Sequence, residues 1–196
     1  MTEGDDDPDQ PAGEGLTGQL LVATPTLRDP NFDRAVVLVL EHSELGALGV
    51  ILNRPGQTSV GDLLPAWGRL AAHPDVVFQG GPVQPDGVIG LFEVADTQDG
   101  PDGWRSVLGR VGAVDLEMDP DEVPVEAGRL RLFAGYAGWG PGQLDGEVEH
   151  AAWWVLPTES GDPLSDRPGD LWQTVLARQD GRLAWMANYP DDPALN

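Results

Sequence analysis

Leu20-Leu21-Val22-Ala23 is a short apolar run that predicts a strand. Val36-Val37-Leu38-Val39-Leu40 is apolar throughout with no polar alternation, the pattern of a strand covered on both faces at the centre of a sheet. Ala47 to Leu52 follows after His42-Ser43-Glu44-Leu45-Gly46, so the two runs predict an antiparallel hairpin closed by a glycine-containing loop. Val76-Val77-Phe78 and Val88 to Phe92 bracket Pro85-Asp86-Gly87, where proline presets φ and glycine accepts φ > 0, and predict a second hairpin. Residues 104–116 alternate loosely, as one or two edge strands. In Arg129-Leu130-Arg131-Leu132-Phe133 the leucines share one face and both arginines the other, a half-buried strand, and Ala152 to Leu156 predicts another.

Helical spacing is rarer. Ser59 with Asp62 three residues later resembles a cap, and Leu63, Leu64, Trp67, Leu70 and Ala71 fall on one stripe, predicting a helix over residues 60–71. Pro141 to His150 reads as a short helix with proline in its first turn. Asp166 or Asp170 would cap a helix running to Gln179 that buries Leu171, Trp172, Val175 and Leu176. A last one over residues 182–187 would bury Leu183 and Trp185. Strands outnumber helices and come in hairpins, so the class is α+β with a largely antiparallel sheet, one domain over residues 16–196.

Charge changes the picture next. Of 196 residues 33 are acidic and 11 basic, a net charge of −22, and every basic residue is arginine. Without lysine there is no Schiff base and no Walker A loop; without cysteine there is no thiol nucleophile, disulfide or Cys-type zinc site. Residues 1–15 hold six acids and almost nothing to bury, which predicts a disordered acidic tail and leaves −16 on the remainder. Such a field repels nucleic acid and anionic membranes and favours a basic protein partner. No apolar window spans a bilayer and the start is unlike a signal peptide, so the chain is expected in the cytoplasm.

Candidate chemistry is sparse. Asp115, Glu117, Asp119 and Glu126 have calcium-loop spacing, but Pro120 occupies the sixth position, where the loop must turn sharply, so no metal site is nominated. His42, His73 and His150 form no local ligand motif, and no Gly-x-Ser-x-Gly or Gly-x-Gly-x-x-Gly occurs. No catalytic residue and no cofactor is assigned. Gly135 to Leu144, glycine-rich with Tyr136 and Trp139, reads as a turn before a helix, either offering backbone N–H groups to an anion or letting the chain pass closely beneath its aromatics. Gln79-Gly80-Gly81-Pro82 carries the same ambiguity.

Six stretches in order, Gly18 to Pro25, Asp29-Pro30-Asn31-Phe32 with Arg34 to Val37, Glu41-His42, Gly46 to Pro55, Gln79 to Val83, and Gly135 to Leu144, resemble the successive signatures of the YqgE/AlgH family of bacterial proteins. The resemblance implies an α+β fold with a bifurcated sheet, a barrel-like closed portion and flanking helices. Members are often labelled transcriptional regulators, and no catalytic set comes with the resemblance. The acidic tail and the proline-broken stretch from Asp119 to Gly128 depart from the pattern.

Two functions stay open. The leading one is a non-enzymatic interaction or regulatory module that touches transcription only indirectly. The rival is a small-molecule binder or enzyme whose site gathers the polar strand-end residues Thr24, Asn31, His42, Asn53, Arg54 and Gln79, with Gly80, Gly81, Tyr136 and Trp139 from the glycine turns. Convergence of those side chains in one pocket separates the two.

Overall fold

The computed structural model describes residues 15–95, 103–122 and 128–188. The expected acidic tail, except for Gly15, lies outside these residues, as do Glu126 and most of the 96–103 loop.

The predicted first hairpin forms. β2 (Val36–Ser43) pairs antiparallel with β3 (Gly46–Ile51), and β1 (Leu20–Ala23) lies on the other edge of β2. Val36, Leu38 and Leu40 enter one core with Leu20, Val22, Val50, Phe78 and Phe133, while Val37 and Val39 enter a second core with Leu21, Ile51, Trp139 and Trp153. The run therefore lacks alternation because both faces are dry, each buried side chain contributing about 1.5–3 kcal/mol.

The predicted helix over residues 60–71 is interrupted. Ser59 does cap it, its Oγ accepting from the Asp62 N–H at 3.0 Å, but α1 (Val60–Leu63) ends after four residues. Leu64 precedes Pro65, whose ring disfavours helical backbone in the residue before it, and sits at φ −131°, ψ 81°; a 3-10 segment, Pro65–Leu70, follows. Trp67 and Leu70 are still buried, but Leu63 is 42% exposed.

The second hairpin is corrected as well. β4 (Pro55–Ser59) pairs with β5 (Val76–Gln79), and β5 then lies parallel to β9 (Gly128–Trp139), Phe78 opposite Phe133. The chain crosses β9 at Gly80-Gly81 and returns along its other edge as β6 (Val83–Val94), which runs through Pro85-Asp86-Gly87 with a register shift instead of turning there. Where one or two edge strands are expected, over residues 104–116, β7 (Arg105–Leu108) and β8 (Val111–Val114) pair with each other at the sheet's edge, and β10 (Trp153–Leu156) flanks β1.

The sheet of ten strands runs β10-β1-β2-β3-β9-β6-β8-β7, with β4 and β5 branching off at β9. It forks, because β9 pairs with β5 at residues 133–134 and with β3 at 137–139. It does not close into a barrel, so that expectation is corrected: β10 and β7 end the path. The core at its centre is covered instead by Leu171, Trp172, Val175 and Leu176 of α3 (Leu171–Ala177). The fold is α+β overall.

Two further expectations fail for physical reasons. Gly135 to Trp139 belongs to β9, its last residues paired to β3, so it is not a turn with free N–H groups; only residues 140–142 turn, into a short helix, α2 (Gln143–Glu149). In the last helix, α4 (Arg182–Met186), Leu183 and Met186 pack on the core while Trp185, on the opposite face, is 83% exposed. No helix among the described residues is long and apolar enough to cross a membrane.

Candidate functional site

The sequence-nominated residues divide into three groups. Thr24, His42 and Asn53 hold backbone together. Thr24 is buried and its hydroxyl donates to the Ala151 carbonyl at 2.9 Å. Asn53 bridges β2 to its neighbouring loop, accepting from the Val36 N–H at 3.0 Å and donating to the Arg34 carbonyl at 2.8 Å. His42 accepts the Leu16 N–H at Nδ1, 3.0 Å away, which pins the segment before β1, and its Nε2 lies 3.6 Å from Asp145.

Asn31, Arg54, Gln79 and Gly81 do converge. With Pro30, Ile51 and Pro82 they line a cleft of about 180 Å³ beside the fork in the sheet. Backbone bonds hold it: the Gln79 N–H donates to the Arg54 carbonyl at 2.8 Å, the Ile51 N–H to the Gly80 carbonyl at 2.9 Å, and the Gly80 N–H to the Ala134 carbonyl at 2.7 Å. Gly81, at φ +154°, lies so close to β9 that an added Cβ would sit 2.2 Å from the Tyr136 carbonyl carbon. Only glycine allows that crossing.

Tyr136 and Trp139 go elsewhere. They line a separate open groove of about 490 Å³ between the β2–β3 turn and the end of β9, with Glu41, Ser43, Leu45, Leu48, Val83 and Gly138. Gly138 leaves its floor unfilled, and Leu45 at its lip is 87% exposed. The Trp139 and Trp153 indoles both donate to Glu147 Oε2, each at 2.9 Å, and Phe32 stacks on Trp139 at 6.4 Å and meets Trp153 edge-on at 5.4 Å.

Sequence reasoning missed Glu147, whose role depends on α2 packing against β3 and β10 within reach of Trp139 and Trp153, and Leu45, whose only signal was a large apolar side chain in a polar turn. Among the described residues no group of three or more His, Asp or Glu side chains is placed to hold a metal ion.

Residues 20–184 match the AlgH-like family profile. The chain belongs to the AlgH-like family. A UPF0301 protein of Streptomyces coelicolor is 56% identical over 184 residues, covering 92% of this chain and 95% of that relative. Another from Thermobifida fusca is 46% identical over 190 residues, 92% of this chain and 96% of the relative. A crystal structure of a Corynebacterium diphtheriae protein superposes with a TM-score of 0.84 at 32% identity, covering 92% of this chain and 95% of that one. The solution structure of AlgH from Pseudomonas aeruginosa does so at 0.64 and 26%, covering 93% and 98%. Family membership thus agrees with the resemblance carried by the six stretches, as does the α+β class, whereas the barrel-like closed portion it implied is absent from the sheet.

Proposed function

We propose that the protein is a non-enzymatic interaction module that docks a basic segment of a partner protein in the groove beside the β2–β3 turn. The observation that carries this is the groove itself: open, with Tyr136, Leu48 and Val83 along it, Glu41 in its lining and Leu45 standing 87% exposed at its lip. Large exposed apolar side chains beside an open groove mark recognition surfaces, and a net charge of −22 steers cationic partners while repelling polyanions. Any effect on transcription then runs through that partner. An acidic chain without cysteine suits the cytoplasm, where we place its action.

The test is a fluorescence titration with labelled hexapeptides that combine Arg or Lys with Leu or Trp, against acidic peptides of equal apolar content. The expected result is binding of the basic peptides that weakens as salt rises and is lost in a Glu41→Lys, Leu45→Ser double variant. Both side chains are exposed, so the variant keeps the fold. Equal binding of acidic peptides, or full binding by the double variant, refutes the proposal.

A further inference from the structure

We infer that the cleft at the fork of the sheet is a binding site for a small organic acid, its carboxylate held by Arg54. This goes beyond the docking groove, with which the cleft shares no lining residue. Several of the described arginines pair with carboxylates: Arg110 and Arg129 with Glu93, Arg178 with Asp162, Arg167 with Asp170. Arg54 is different. Its guanidinium donates to the Asp33 backbone carbonyl and pairs with no carboxylate of the described residues, which leaves N–H donors for a ligand.

In a chain with three acids for each arginine, a guanidinium left without a carboxylate in a concave site points to a carboxylate supplied from outside. Two amides stand beside it. Gln79 makes no side-chain bond within the described residues, and Asn31 donates its N–H and one Nδ2–H to Asp29 Oδ1, at 2.9 and 3.0 Å, which leaves its second Nδ2–H for the ligand carboxylate. Asp29 accepts both of these bonds, so it is engaged within its own turn. More distant acids are screened within about 8 Å at physiological ionic strength.

Size and lining choose among anions. A volume near 180 Å³ is below that of a drug-sized pocket, so the ligand has few heavy atoms. Pro30, Ile51 and Pro82 supply apolar walls for a short carbon chain. A single cation suits a monoanion; a phosphate dianion would need a second, and the lining has none.

The test uses the full chain and propionate as probe, read by amide and side-chain NMR shifts. Inorganic phosphate and propionamide, the neutral isostere, serve as comparisons. The expected result is saturable shifts at Gln79, Gly81 and the Arg54 Nε–H, with a Kd of about 1 mM as befits so few atoms. Propionamide should give none, and Arg54→Met should weaken propionate at least about tenfold while its spectrum stays dispersed. Shifts with propionamide equal to those with propionate, saturation by phosphate alone, unchanged affinity in Arg54→Met, or no saturable shift at all would each overturn the assignment. None of these outcomes bears on the groove, whose peptide titration stands separately.

Discussion

Replacing Arg131 by methionine should cost little, and replacing it by lysine should cost more, although lysine keeps the charge. Arg131 is 1% exposed. Its guanidinium donates to the Ser165 carbonyl at 2.9 Å and the His73 carbonyl at 2.6 Å, lies 4.4 Å over the Phe78 ring, and leaves its Nε–H unpartnered. Burial pushes its pKa down to about 10, with Asp166 opposing and Arg129 adding to the fall. Measured from its ordinary value, at about 1.36 kcal/mol per unit, holding that charge in place costs about 3 kcal/mol.

Two hydrogen bonds from a charged donor contribute about 3–6 kcal/mol and the ring contact about 1–2 kcal/mol. Methionine gives up those terms, removes the desolvation cost and gains about 1.5–3 kcal/mol of apolar burial, for an expected net loss near 1 kcal/mol. Alanine adds a cavity worth about 2–5 kcal/mol to that, an expected loss of about 3–6 kcal/mol. Lysine keeps the buried charge but its ammonium lacks the fork that spans two carbonyls, so its loss should fall at about 2–4 kcal/mol. Urea unfolding followed by tryptophan fluorescence at constant slope gives the three values. A lysine variant near wild type with methionine as damaging as alanine would show that the charge itself holds the fold, and would refute the reasoning.

Glu147→Ala leaves two buried indole N–H groups without an acceptor and should lose about 2–4 kcal/mol, whereas Glu147→Gln retains an acceptor oxygen and should lose less than half of that, both by urea unfolding. Gly81→Ala drives a Cβ into the Tyr136 backbone and should cost more than about 4 kcal/mol or prevent folding, while Gly142→Ala, at φ +69° with open space around it, should cost only about 1–2 kcal/mol in thermal melts. Random duplex DNA at ~50 mM salt should give no anisotropy change at micromolar protein, since too few phosphates can be neutralised; binding that weakens steeply with added salt would reverse that expectation.

Local pattern alone determined much of this protein. The doubly buried β2, the β2–β3 hairpin, the Ser59 cap and the α+β class follow from side-chain period and turn chemistry, which act over a few residues. The absence of lysine and cysteine chemistry is likewise settled by composition. Tertiary structure decided the rest. Alternation put Arg131 beside Arg129 on one face of β9, but it carries no information on whether that face is covered; the bridge between Ala71 and Leu130 brings the His73 carbonyl over it and buries the guanidinium. The Pro85-Asp86-Gly87 turn signal lost to a long-range pairing, since β9 enters between β5 and β6 from about fifty residues downstream. Of the ten nominated site residues, Asn31, Arg54, Gln79 and Gly81 share a cleft only because the Gly80-Gly81 crossing presses one turn onto β9, whereas Asn53 and Thr24, chemically as suitable, are consumed by backbone groups that burial would otherwise leave unpaired. Residue type named the candidates, and the demand of buried backbone for partners decided which stayed available for a ligand.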